Sequence, residues 1–214
     1  MPTITVPQAV VHAAALIPMA WLLFDAATSG LTVNPIQDIE QRTGKAALIL
    51  LVLSLSCTPL TILTGWAHPV RWRRPLGLYA FGYAAVHFLT FIALDYGLNF
   101  RLLWADVAGK RYIFVGLAAL LILIPLALTS TRGWQRRLGK AWRKVHRLVY
   151  VAGGLVVVHY AWAVKSDIRE PLIWGAVIAL GLLVRVGAVR RLLIQWRTGK
   201  NASPAGRVKK AAPT

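Results

Sequence analysis

Six apolar runs, each long enough to cross a hydrocarbon core, leave this chain little choice but to fold as a bundle of membrane helices. They lie at about 9–27, 44–64, 76–96, 111–129, 145–164 and 171–190. A bilayer core about 30 Å thick takes about 20 helical residues to span. Lipid offers no partner to a backbone N–H or C=O, so each run must satisfy its own backbone as a helix. The expected fold is therefore all-α: a polytopic membrane bundle of about six helices occupying residues 1–197. Runs and short loops use nearly all of the 214 residues, which leaves no room for a soluble catalytic domain. Only 15% of residues are charged, against about a quarter in soluble domains. Pro18, Pro59 and Pro125 fall inside runs, where membrane helices tolerate them as kinks. The first run has no Lys or Arg before it, so it reads as a retained helix and not as a signal peptide. No internal repeat is visible. The single cysteine, Cys57, lies in an apolar run and reads as a packing residue.

Charge sets an expected orientation. Arg71, Arg73 and Arg74 lie between runs 2 and 3, and a second basic cluster from Arg132 to Arg147 lies between runs 4 and 5. The last run and the tail add eight more bases, from Arg185 to Lys210, and this side has no acid. All seven Asp and Glu residues fall on the opposite side. The positive-inside rule places the basic side, and with it both termini, in the cytoplasm of a bacterial inner membrane. Residues 198–214 read as a disordered basic cytoplasmic tail. A pI near 11.3 could suggest nucleic acid, but a basic face beside six apolar runs is explained by topology and anionic lipid headgroups.

The chemistry lies in the histidines. His87 sits inside run 3 and His159 inside run 5, while His146 opens run 5 on the basic side. Ionisable groups at membrane depth are costly and mark function; for one alone, a bond to another helix or a proton relay would suffice. Their surroundings add weight. Gly82, Ala84 and Ala85 leave space beside His87, and Gly153 and Gly154 lie between His146 and His159. Neutral imidazole is an axial ligand of haem iron, and a buried porphyrin needs apolar walls and one ligand from each of two helices. Runs 3 and 5 both head outward, so His87 and His159 can share one porphyrin towards the outer leaflet. His146 stands 13 residues earlier, about 20 Å along a helix, where it could serve a second station. On an ideal helix it would point about 140° away from His159, so tilt or a distortion at Gly153–Gly154 is expected. No CxxCH is present, so a haem would be b-type.

The segment RLGKAWRKVHRLVYVAGGLVVVHYAWAVKS, residues 137–166, resembles the fifth-helix signature of the MsrQ (formerly YedZ) family. NPIQDIEQRTGKAAL (34–48) and GLYAFGYAAVHFLTF (77–91) resemble it too, and the likeness runs to about residue 197. This is a branch of the ferric reductase-like transmembrane group, which also holds the NADPH oxidases. The resemblance implies b-type haem, flavin mononucleotide (FMN), and electron delivery to a periplasmic molybdenum-containing methionine sulfoxide reductase, MsrP. It implies His87, His146 and His159 as the cofactor-binding histidines. The NADPH oxidases place two haem histidines on the third helix, whereas here Arg73 stands 14 residues before His87, with Arg74 beside it. A haem on His146 thus lacks an evident second ligand. His12 and His68 are candidates, and each is equally readable as a packing or surface residue.

The function expected is a membrane electron-transfer subunit, an oxidoreductase component without a substrate-converting site of its own. It would draw on the quinol pool or a cytosolic flavin reductase and pass electrons outward through haem. Arg71, Arg73, Arg74, Arg143 and Lys144 could grip haem propionates or a flavin phosphate, or simply satisfy topology. Asp106, Asp167 and Glu170, on the outward loops, are expected to help dock the periplasmic partner. A ferric reductase is the alternative. A transporter with intramembrane histidines is a weaker one, since no acid lies at mid-depth.

Overall fold

The structure is a computed structural model that describes residues 6–164 and 167–201. Among these residues the fold is entirely helical: α1 (Val6–Ala27), α2 (Pro35–Thr64), α3 (Pro69–Thr90), α4 (Phe100–Val107), α5 (Arg111–Leu128), α6 (Arg132–Leu138), α7 (Lys140–His146), α8 (Leu148–Ala163), α9 (Arg169–Arg185) and α10 (Gly187–Asn201). A short π-helical turn, Phe91–Asp95, continues α3.

The 30-residue α2 is the axis of the bundle. Asn34 caps it by accepting the Gln37 N–H, and Pro35 pre-sets its first turn, so it starts well before the apolar run. It stops at Gly65, whose φ of 78° and N–H bond to the Thr61 carbonyl make a left-handed cap. Leu48, Leu50, Leu51, Val52 and Leu55 are buried all round it, as expected for a helix enclosed by others. It packs on α1, α3, α8, α9 and α10. Two pairings dominate, α2 with α3 and α5 with α8, and the pairs meet through α3 against α5 and α2 against α8.

Four helices are each long and apolar enough to cross a membrane: α1, α2, α3 with its π turn, and α5. A fifth is α9 with α10, if a pair bent by 78° counts as one span. The fifth apolar run is divided. Its first residues belong to α7, and α8 has 16 residues, about 24 Å. The break is at Arg147, where the Arg147 N–H bonds Lys144 and the Tyr150 N–H bonds Arg147, both three residues back. These tighter turns replace the distortion expected at Gly153–Gly154, through which α8 runs unbroken.

The sixth run also ends early. Pro59 has no N–H, so the Leu55 carbonyl loses its helical partner. The Arg185 guanidinium takes that carbonyl, bonds the Tyr150 hydroxyl and lies 5.1 Å from the Tyr150 ring centre. With Arg185 so anchored, α9 stops, Val186 is extended and the chain turns into α10. Arg197 on α10 donates to the Ile62 carbonyl at 3.0 Å, closing the open end of α2. Because α10 runs through Asn201, the start of the segment expected to be a disordered tail is helical; residues 202–214 lie outside the described ones. Two regions read as loops carry the short helices α4 and α6.

Pro18 removes a bond from α1, and Tyr83 of α3 repairs the neighbouring step. Its hydroxyl accepts the Met19 N–H at 2.9 Å and donates to the Ala15 carbonyl at 2.9 Å. One side chain thus bridges a kinked turn and fastens α1 to α3. Tyr83→Phe removes both bonds between α1 and α3 and leaves the Met19 N–H and Ala15 carbonyl only each other, and is expected to lower stability by about 1 kcal/mol. Thermal unfolding in detergent checks this; an unchanged midpoint would mean that the bridge contributes nothing.

Candidate functional site

His87 reaches across from α3 to α2, where its Nδ1 lies 2.9 Å from the Glu40 carbonyl oxygen. His159 reaches from α8 to α5, where its Nδ1 lies 2.8 Å from the Tyr112 carbonyl oxygen. A carbonyl can only accept, so each Nδ1 carries the proton and each Nε2 holds a free lone pair. Neither Nε2 has a hydrogen-bond partner among the described residues. The ring centres are 6.2 Å apart and the ring planes stand at 79°.

This spacing suits one metal held between two imidazoles. Two metal–nitrogen bonds of about 2 Å, plus about 1 Å from each nitrogen to its ring centre, ask for about 6 Å. A Cβ placed on Gly82 or Gly154 would meet open space, so both helices offer clearance beside their histidines. No group of three or more His, Cys, Asp or Glu side chains forms a metal cluster among the described residues. The arrangement therefore fits a metal that brings its own equatorial ligands, as haem does, better than a bare ion. The structure brings together the two histidines that the sequence pairs. The acceptors that orient them could not be read from residue types, because they are main-chain carbonyls.

The other histidines stand apart from this pair. His146, at the end of α7, stacks on Trp142 with ring centres 4.0 Å apart, and its Nδ1 is 3.3 Å from the Trp142 carbonyl oxygen. Its Nε2 is buried and makes no hydrogen bond among the described residues. His12 bonds the Tyr79 hydroxyl at 3.0 Å. His68 is exposed beside Trp66. Neither is joined to His146 by any contact.

At the end of the bundle near His87 and His159, most acids are paired within the chain. Arg42 bonds both Asp25 and Asp38. Lys45 meets Glu170 at 2.8 Å, and Glu170 also accepts from the Tyr160 hydroxyl at 2.8 Å. Asp106 is held by Lys110 and Tyr96. Asp167 is the most open of the three acids expected to meet a partner; it accepts the Arg169 N–H at 2.9 Å and lies 4.0 Å from the Arg169 guanidinium.

Comparison with known proteins decides the family. The model of the ferric reductase-like transmembrane component matches residues 43–157, from α2 into α8. Curated relatives bear the name protein-methionine-sulfoxide reductase heme-binding subunit MsrQ. The one from Xanthomonas axonopodis pv. citri is 42% identical over 203 residues, covering 92% of each chain. The one from Rhodospirillum rubrum is 47% identical over 183 residues, covering 85% of this chain and 88% of its own. The chain belongs to the MsrQ family. The MsrQ likeness spans both helix pairs, whereas the broader ferric reductase-like match includes His87 and His146 and stops just short of His159.

One electrostatic consequence follows for the turn before α5. Lys110 first, then the Tyr96 hydroxyl, hold the Asp106 carboxyl below its ordinary value of 3.8. A depressed carboxylate stabilises the fold above its unfolded value, and that contribution fades as pH falls through the lower folded value. Wild-type protein is therefore expected to lose a small increment of stability as pH falls below about 4, and Asp106→Asn to lack that step. Melting temperature against pH for both proteins checks it; parallel curves would contradict the pairing.

Proposed function

We propose that this chain is the membrane electron-transfer subunit of a bacterial methionine sulfoxide reductase system. It carries b-type haem between His87 and His159 and passes electrons from the quinol pool or a cytosolic flavin reductase to a periplasmic, molybdenum-containing MsrP-like reductase. The observation that carries this reading is the facing histidine pair, 6.2 Å between ring centres, with each Nδ1 committed to a carbonyl of the adjacent helix. Haem iron there would supply reversible one-electron exchange between its ferric and ferrous forms. The chain's part is to hold the ring, tune its ligands and keep water out. Each Nδ1–H bond to a carbonyl raises the basicity of the ligating nitrogen and fixes its tautomer. The names of the MsrQ relatives support haem and the reductase assignment.

The reading includes six spans in the inner membrane, with α8 as the fifth and α9 as the sixth, and both termini cytoplasmic. The one-sided basic charge supports that orientation. The 78° bend lets α10 lie along the cytoplasmic surface, where Arg190 and Arg191 can meet anionic headgroups. His146, with its unpaired Nε2, is the candidate ligand for a second haem nearer the cytoplasm. FMN enters by family resemblance, with the Arg71–Arg74 and Arg143–Lys144 clusters as candidate phosphate grips. A ferric reductase that donates to external metal is the second reading, favoured by the ferric reductase-like family match.

His87→Ala and His159→Ala are each expected to remove most of the reduced-minus-oxidised absorbance of the haem they share in purified protein, and His146→Ala to spare that haem while removing a second one that it ligates. Full spectra in both of the first two variants would rule out the shared site. In membranes holding the reduced protein, added MsrP-type reductase with methionine sulfoxide is expected to reoxidise the haem, and more slowly with Asp167→Asn. Haem that stays reduced with both supplied would remove the outward path and favour the ferric reductase reading.

A further inference from the structure

The two histidines are held by the same device, built twice. Gly44 lies one turn after Glu40 on α2, and a Cβ added there would stand 3.2 Å from His87 Nδ1 and 3.3 Å from its Cε1. Gly116 lies one turn after Tyr112 on α5, and a Cβ added there would stand 2.6 Å from His159 Nδ1 and 2.7 Å from its Cε1. The imidazole edge thus rests on the bare backbone of the opposing helix at the very turn whose carbonyl accepts its Nδ1–H. The sets coincide in sequence: Glu40, Gly44, Gly82 and His87 each precede Tyr112, Gly116, Gly154 and His159 by 72 residues. The register extends past the glycines and histidines, since Ala46, Ala47 and Leu48 precede Ala118, Ala119 and Leu120 by the same 72 residues, while most other positions differ. The α2–α3 and α5–α8 pairs thus place a glycine and a carbonyl acceptor against one histidine each, in the same order and spacing.

We propose that Gly44 and Gly116 are positioning residues that set the planes of the two axial imidazoles, and through them the electronic state of the iron; this rests on the haem reading above. A ring confined between a glycine backbone and a carbonyl acceptor cannot turn about its metal bond without breaking the Nδ1 hydrogen bond or striking the helix. Each half fixes one plane, and the facing of the halves leaves the planes at 79°. Near-perpendicular axial imidazoles keep two iron d orbitals nearly equal in energy. Ferric haem so ligated gives a highly anisotropic low-spin resonance with a large principal g value, whereas parallel planes give a smaller one. The clearance is graded. At Gly116 a methyl group would fall within a distance that real Cβ contacts essentially never show, while at Gly44 it would need only a few tenths of an ångström.

The test uses the full-length protein purified in detergent, as wild type, Gly116→Ala, Gly44→Ala and a remote control, Gly133→Ala in α6. Electron paramagnetic resonance of the ferric form and haem loss to excess apomyoglobin are measured. Gly116→Ala is expected to shift the large g value and to speed haem loss about tenfold, the scale of a disturbed outer shell. Gly44→Ala should do the same to a smaller degree, and Gly133→Ala should match wild type. Wild-type resonance and haem retention in Gly116→Ala would overturn the proposal while leaving the histidine ligands in place. If Gly116→Ala binds no haem at all, Gly44→Ala decides: a shifted resonance supports the assignment and an unmoved one overturns it. Retention of the resonance in His87→Ala and His159→Ala would instead remove the haem reading on which the proposal rests, and the proposal with it.

Discussion

The hydrogen bonds from His87 to the Glu40 carbonyl and from His159 to the Tyr112 carbonyl are the constraint on which the rest of the site depends. A helix interior has few carbonyls to offer, since each is normally bonded to the N–H four residues on. Tyr112 lies in the first turn of α5 and Glu40 in the second turn of α2, and each carbonyl accepts the imidazole N–H in addition to its place in the helix, with the Thr43 hydroxyl sharing the Glu40 carbonyl. That arrangement fixes the tautomer, aims both Nε2 atoms away from the acceptors and ties α3 to α2 and α8 to α5. The same bonds therefore serve packing and chemistry.

Around this centre the protein meets the demands of lipid by bringing side chains of distant helices to backbone groups beside prolines and helix ends. Arg185 takes the carbonyl freed by Pro59, Arg197 closes the end of α2, and Tyr83 bridges the step beside Pro18. Each partner comes from a distant helix, so the irregularities become the joints that order the bundle. Removing Arg185 leaves the Leu55 carbonyl without its donor, which is more damaging than losing apolar contact alone.

Much of this was legible in the sequence. Apolar runs gave the helical membrane class, because run length maps directly onto bilayer thickness. His87 and His159 stood out because an imidazole at membrane depth needs a reason. What was not legible is instructive. The division of the fifth run at Arg147 leaves hydropathy unchanged, and the early end of α9 depends on Arg185 finding a carbonyl 130 residues away. The acids expected to face a partner include Asp106 and Glu170, which pair with Lys110 and Lys45 once the chain folds. The carbonyls of Glu40 and Tyr112 leave no mark in sequence, and Gly44 and Gly116 look like any small residues until the rings that rest on them are seen.

The central claim is that one iron sits between two imidazoles supplied by α3 and α8. Near-infrared magnetic circular dichroism of the ferric protein reads the axial pair directly, because the energy of the ligand-to-metal band depends on the two axial atoms. A bis-imidazole band in wild type that disappears in His87→Ala and His159→Ala is the expected result. A band from any other axial pair, or a bis-imidazole band that survives loss of either histidine, would contradict it.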